Sequence, residues 1–205
     1  MPQAFKQNIT AVILCGGAGE RMHGADKPLR ALLGRPLIER TLQRIRPQAG
    51  AVVLVANRRL EDYGALGVKV VDDGAFKGSG PLAGIAAGLA AAATEWIVSV
   101  PGDAPLLPED LVARLEQALA REQAELALVH DGRGRQPLCG LLPRRLLPEL
   151  KAFLDSGDTT PRNWQRRYRC ADADFSDWPQ WAWSLNTPEE WSFAESQLRL
   201  RGEPA

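Results

Sequence analysis

Cysteine is scarce: Cys15, Cys139 and Cys170 are odd in number and far apart, without a C-x-x-C pair, which argues against a disulfide framework and a structural zinc. Histidine is scarcer still, and His130 has no second histidine near it to share a metal. Net charge is absent, with 25 basic and 25 acidic residues. No global field therefore draws the chain to nucleic acid or an anionic membrane, and any anion site must be local. No stretch approaches the roughly 20 apolar residues of a membrane span. The opening MPQAFKQN lacks the basic and then apolar pattern of a secretory signal. A cytoplasmic protein with neither nucleic acid nor membrane as partner is expected, and no internal repeat is found.

What is present is ordinary globular material, 45% apolar and 24% charged, enough for a core. A length of 205 residues is within reach of one α/β domain, taken as 1–205.

The chain is organised around ITAVILCGGAGERMHGADKPL, residues 9–29. Its first six residues suit a strand buried on both faces. The strand runs into Gly16, Gly17 and Gly19, which lack the Cβ atoms that would hold the backbone away from a ligand, so successive N–H groups can converge on an anion. Arg21 and Lys27 add a planar fork and a point charge suited to phosphate. It is not a Walker A loop, since no Gly-Lys-Ser/Thr closes the turn, and not a dinucleotide fingerprint, since Met22 stands where the third glycine belongs.

Strand and helix patterns then alternate. A short extended piece is expected over 28–33 and an amphipathic helix from Pro36 to the break at Pro47. A buried strand AVVLV leads to Asn57, read either as a helix cap or as a site residue. A strand over 68–71 leads to Asp72 and Asp73, and a glycine loop then opens an alanine-rich helix at Pro81 that can pack close to a sheet. A strand over 96–100 ends in PGDAPLLP, where Asp103 sits in a proline-flanked turn as a candidate metal ligand. A helix from Pro108 to about Arg121, a strand over 125–129, the turn HDGRGRQ, an apolar run over 137–142 and a helix over 144–154 follow. Arg162, Arg166, Arg167 and Arg169 surround Trp164 in a short helix. They read as a stacking and charge site or as a solvated face with one tryptophan turned inward. Asn186 is placed at a strand end before a capping box, Thr187-Pro188-Glu189-Glu190, that starts the last helix.

This alternation implies an α/β fold with a doubly wound, mainly parallel sheet flanked by helices, in which ligands bind beyond the carboxyl ends of the strands. The glycine loop, Asn57, Asp73 and Asp103 fall at four such ends.

At this point the chain resembles a known family. LCGGAGERMHGADKPL is similar to the nucleotide signature of the molybdenum cofactor guanylyltransferases, within a wider nucleotidyltransferase group, and VANR, VVDD, GPLAGI, VPGDAPLLP, RQPL and LNTPEE continue the match in register. The resemblance implies a Rossmann-like nucleotidyltransferase domain with an N-terminal nucleotide part and a C-terminal molybdopterin part. The implied reaction is Mg²⁺-dependent transfer of GMP from GTP to the terminal phosphate of molybdopterin or Mo-molybdopterin, with pyrophosphate released. Carried over by position, Leu14, Cys15, Gly16 and Gly17 would contact the nucleotide through backbone, and Arg21 and Lys27 would hold its triphosphate. Asn57 and Asp73 would belong to the guanine and ribose pocket, Asp103 would bind Mg²⁺, and Gln136, Pro137 and Asn186 would face the pterin. Arg21, Lys27 and Asp103 are thus the implied catalytic set. The Gly16-Gly17 pair favours GTP over CTP. The family implies a monomer that exchanges cofactor with molybdenum insertion and molybdoenzyme chaperone proteins. His23 stands where the family usually has glycine, and Ser184 where some relatives pair an asparagine with Asn186. A cytidylyl or sugar-phosphate nucleotidyltransferase is the rival within enzymes, and a GTP-sensing module without turnover the rival outside them.

Overall fold

A computed structural model of the chain describes residues 3–16, 26–178, 183–200 and 202. Gly17, Gly19, Arg21, Met22, His23 and Trp181 lie outside the described residues. In chain order the elements are α1 (Gln3–Gln7), β1 (Ile9–Leu14), β2 (Ala31–Leu32), β3 (Arg35–Pro36), α2 (Leu37–Ile45), β4 (Ala51–Val55), α3 (Leu60–Gly64) and β5 (Lys69–Val71). They continue with α4 (Pro81–Ala91), β6 (Trp96–Pro101), α5 (Leu111–Glu122), β7 (Leu126–His130), β8 (Arg135–Pro143), α6 (Leu147–Asp155), α7 (Pro161–Gln165), β9 (Cys170–Asp174) and α8 (Pro188–Leu200).

Seven strands form one sheet in the order β5-β4-β1-β6-β8-β7-β9. β1 pairs in parallel with β4 and β6, β4 with β5, and β7 with β9; β8 runs antiparallel to both β6 and β7. The sheet is mainly parallel, as expected, with one reversed strand inside it. Period-2 alternation then sorts the side chains of β1. Ile9, Ala11 and Ile13 enter a layer built with α2 and α5, while Val12 and Leu14 enter the opposite layer with α4, α6 and α7. Every residue of β1 is buried, Thr10 among them, as its mostly apolar run leads one to expect. The small residues of α4 bring it close to this strand: a Cβ on Gly88 would lie 2.3 Å from Val12 Cγ1.

Several expectations are corrected. The segment 28–33 is not simply extended but a 3-10 turn, Lys27–Leu29, followed by the small β2–β3 hairpin. α5 begins at Leu111 rather than Pro108, because Gln48 reaches across from the end of α2. Its Nε2 donates to Pro108 O at 2.8 Å, and its Oε1 accepts from Val112 N–H at 3.0 Å, doing the work of a local cap. Trp164 is fully buried in the α4/α6 layer, so the arginine-flanked tryptophan is core and not a stacking platform. Asn186 is not at a strand end, since residues 184–186 have no regular structure. α1 and β9 have no counterpart in the sequence reading, and α3 has one only in the reading of Asn57 as a helix cap. Among the described residues no helix is long and apolar enough to cross a membrane.

Candidate active site

β1, β4, β5 and β6 end at one edge, as parallel pairing demands. Leu14, Cys15 and Gly16 leave β1 there, Asn57 follows β4, Asp73 follows β5 and Asp103 follows β6. Part of the loop backbone is already committed: Cys15 N–H donates to Val55 O at 2.8 Å, and Leu14 O accepts from Gly102 N–H at 2.9 Å. Gly16 is exposed, and a Cβ there would sit 3.8 Å from Asn57 Nδ2, so the glycine and the asparagine are neighbours.

Asn57 is not a helix cap. α3 is entered instead through Arg59 in the left-handed conformation (φ 52°), and Asn57 grips Asp73 at both ends of its amide. Nδ2 donates to Asp73 Oδ2 at 2.5 Å, and Oδ1 accepts from Asp73 N–H at 3.1 Å. Partial burial raises the Asp73 carboxyl above its ordinary range, against the pull of the Asn57 amide, with Asp72 adding to the rise.

Across the cleft, Lys27 Nζ forms an ion pair with Asp103 Oδ2 and donates to Ser184 Oγ at 3.2 Å and Asn186 Oδ1 at 2.8 Å. Ser184 Oγ lies 2.8 Å from Asp103 Oδ2, to which it donates. An ammonium has three donors, and these three oxygens use them all. The 3-10 turn early in the first crossover, the turn after β6 and the segment leading into α8 therefore meet at one lysine.

A cavity of about 450 Å³ joins Leu14, Cys15, Gly16, Lys27 and Asp103 to a second wall made of Gln136, Pro137, Leu138 and Cys139. That wall exists because β8 bulges. Val129 pairs with Gln136 while its neighbour Leu128 pairs with Gly140, so residues 137–139 are left outside the ladder. The carbonyls freed by the bulge are taken by buried side chains: Ser99 Oγ donates to Leu138 O at 2.9 Å and Gln165 Nε2 to Pro137 O at 2.7 Å. A buried carbonyl without such a partner would cost about 1–3 kcal/mol, so the wall is held firmly in place.

The lining of the cavity also includes Asp26, which accepts from Tyr63 Oη at 2.8 Å. Burial pushes the Asp26 carboxyl up, and the Tyr63 hydroxyl and Arg58 pull it back. Burial, reinforced by Asp26, pushes the Cys15 thiol far above its usual range, so it is a neutral packing group and not a nucleophile.

The set of predicted residues divides cleanly. Lys27, Asp103 and Asn186 are brought together, Asn57 and Asp73 form a pair beside Gly16, and Gln136 and Pro137 lie on the opposite wall of the cavity. Gly17 and Arg21 lie outside the described residues. Ser184, noted in the sequence only as a departure, is a full member of the lysine cluster. Asp26 and Tyr63 carry no local signal of a site role; the cavity lining reveals Asp26, and its hydrogen bond reveals Tyr63.

Asp103, Ser184 and Asn186 offer a carboxylate, a hydroxyl and an amide carbonyl, hard oxygen donors of the kind Mg²⁺ accepts in ones and twos while phosphates and water complete its shell. Among the described residues no group of three acidic, cysteine or histidine side chains could enclose a metal alone. The donor set thus fits an ion that arrives with a polyphosphate.

A model of the MobA-like NTP transferase domain matches residues 11–172. The chain is 42% identical over 182 residues to a molybdenum cofactor guanylyltransferase of Shewanella pealeana, covering 89% of this chain and 91% of that one. It is 42% identical over 199 residues to that of Cupriavidus metallidurans, covering 95% and 98%. The chain belongs to the molybdenum cofactor guanylyltransferases. Solved structures show how widely the fold of this guanylyltransferase is shared. Molybdopterin-guanine dinucleotide biosynthesis protein A of Archaeoglobus fulgidus superposes with a TM-score of 0.76 at 20% identity, covering 93% of this chain and 99% of that one. A 2-C-methyl-D-erythritol 4-phosphate cytidylyltransferase of Thermus thermophilus does so at 0.67 and 19%, covering 92% and 98%.

Proposed function

We propose that this guanylyltransferase moves GMP from GTP to the terminal phosphate of molybdopterin, or of its molybdenum-loaded form, and releases pyrophosphate. The observation that carries the reading is the cavity itself: Leu14, Cys15 and Gly16, with the Asn57–Asp73 pair beside Gly16, share one lining with Lys27, Asp103, Gln136 and Pro137.

A phosphate oxygen of the acceptor attacks the α-phosphorus of GTP, the new P–O bond forms, and the bond to the bridging oxygen breaks as pyrophosphate leaves. A phosphate dianion is nucleophilic without a protein base, so the chain supplies position and charge neutralisation. Asn57 and Asp73 orient the nucleoside; Lys27, with Arg21, holds the triphosphate; Gln136, Pro137 and Asn186 orient the pterin. In taking up phosphate, Lys27 exchanges Asp103 for the substrate, which frees the carboxylate oxygens. Asp103 would then hold Mg²⁺, whose chemistry here is to polarise phosphate oxygens and offset charge on the leaving pyrophosphate. A monomer working in the cytoplasm and meeting molybdenum insertion and molybdoenzyme chaperone proteins completes the reading.

Pyrophosphate release tests it, measured with GTP, CTP, ATP and UTP, with and without molybdopterin, and with Mg²⁺ or EDTA. Release that needs GTP, molybdopterin and Mg²⁺ together is expected. Preference for CTP would transfer the chain to cytidylyl chemistry, and GTP binding without release would make it a sensor.

A further inference from the structure

Gln136 is the last residue of β8 paired before the bulge, and it lines the cavity. Its amide is not free to turn. Nε2 lies 2.8 Å from Oδ2 of Asp131, a buried residue in the β7–β8 turn. The other carboxylate oxygen, Oδ1, accepts from the N–H groups of Arg133 and Gly134, each at 2.9 Å, and so closes the turn. Burial works against ionisation of Asp131, but the two backbone N–H groups, the Gln136 amide and His130 outweigh it and hold the carboxyl below the usual range. An ionised carboxylate can only accept, so it must face the NH₂ end of the amide. The oxygen end, Oε1, takes no hydrogen bond from the described residues.

We propose that Asp131 is a positioning residue for the acceptor subsite: by capturing Gln136 Nε2 it presents Gln136 Oε1 to the cavity as a fixed acceptor for an N–H group of the pterin. The proposal rests on the guanylyltransferase reading, which places the pterin beside Gln136. An unrestrained glutamine offers donor or acceptor equally; one tied to a carboxylate offers only an acceptor, and so selects for a ligand donor. The two oxygens of Asp131 divide the labour, Oδ1 holding the turn and Oδ2 setting the amide, so one substitution can separate them.

Asp131→Asn leaves an oxygen for the Arg133 and Gly134 N–H groups but puts an NH₂ against Gln136, which must turn its amide over and aim a donor at the cavity. Gln136→Glu sets two carboxylates against each other. In the double variant the new amide donates to the new carboxylate, and an acceptor oxygen faces the cavity again. KM for molybdopterin and for GTP is measured separately in pyrophosphate release, with thermal unfolding of each variant followed alongside. Each single variant is expected to raise the molybdopterin KM about 10-fold or more, with the GTP KM within about 2-fold and the double variant back to within about 3-fold of wild type. A purely structural Asp131 would leave the double variant no better than Asp131→Asn, and that result overturns the proposal, as does an unchanged molybdopterin KM in Asp131→Asn. Should Asp131→Asn fail to fold, Gln136→Met carries the test, since it removes the acceptor and leaves the turn intact; an unchanged molybdopterin KM overturns the proposal there too. Lack of molybdopterin-dependent release in the wild type overturns the underlying reading and the proposal with it. Wild-type release with unaltered variants overturns the proposal alone.

Discussion

The two walls of the cleft are built by different means. On the side of the glycine loop, β1, β4, β5 and β6 run in parallel, so their carboxyl ends arrive at one edge and any residue just after a strand is delivered there. On the side of Gln136 and Pro137, proposed above for the acceptor, one strand runs the other way. Because β8 is antiparallel to β6, with Ser99 opposite Gly140, the start of β8 lies at the edge where β6 ends, and its bulge pushes residues 137–139 into the cleft. The parallel half positions its site by topology; the reversed half needs dedicated supports, Ser99, Gln165 and Asp131, each buried and each bonded to the wall. A site assembled by topology tolerates sequence change around it, whereas one assembled by propped carbonyls depends on individual polar side chains.

The largest effect should come where the halves meet. Asp103→Ala is expected to lower turnover by about 10²–10³-fold with folding retained, the scale for losing a group that stabilises transition-state charge. Unaltered turnover, with circular dichroism confirming the fold, would remove Asp103 from the chemistry. Lys27→Ala should cost about 10²-fold in kcat at saturating GTP, and a change confined to KM would reduce the lysine to a binding group. Asp73→Ala separates the walls: the GTP KM should rise about 10-fold while the molybdopterin KM stays level, as loss of uniform binding requires. An equal rise in both would mean that the walls are not independent. Gly88→Ala tests the scaffold beneath the nucleotide wall. Its new methyl would collide with Val12, and a loss of about 1–3 kcal/mol in denaturant unfolding is expected, with both KM values unchanged.

The smallest effect is on stability, belongs to the wall that Asp131 supports, and vanishes in acid. The folded-state pKa of Asp131 lies below its ordinary value, so its contribution to stability is present above about pH 4 and is lost as pH falls through the depressed value. Thermal midpoints compared between pH 6 and pH 3 should therefore converge for wild type and Asp131→Asn as acid removes that contribution. A constant gap would place the effect of the substitution elsewhere.

Most of the sheet was legible because its strands are short apolar runs bounded by glycine, proline or aspartate. β9 was not: CADAD buries only Ala171 and Ala173, too little apolar surface to distinguish it from a loop. The start of α5 differs from the local expectation because its cap comes from Gln48, remote in sequence and invisible to any local capping rule. Trp164 could be read two ways among its arginines, since a helical turn with one tryptophan looks the same whether that residue faces solvent or core. Packing against the α4/α6 layer resolved it. In the site, the glycines and the aspartate after each strand were legible as positions, but their partners were not. Nothing local says that Asn57 holds Asp73, that Tyr63 holds Asp26, or that Ser184 joins Lys27 and Asp103.

From the sequence alone came the alternation of elements, the strand ends that carry chemistry, and the family. These follow from short-range periodicity and from motifs whose residues are close in the chain. Tertiary structure alone decided the reversed direction of β8, the bulge, and the lysine cluster, whose bonds from Lys27 join residues 76 to 159 positions apart. Contacts of that span are chosen by which surfaces can be buried together and which polar groups must then find partners, and no local pattern encodes that choice.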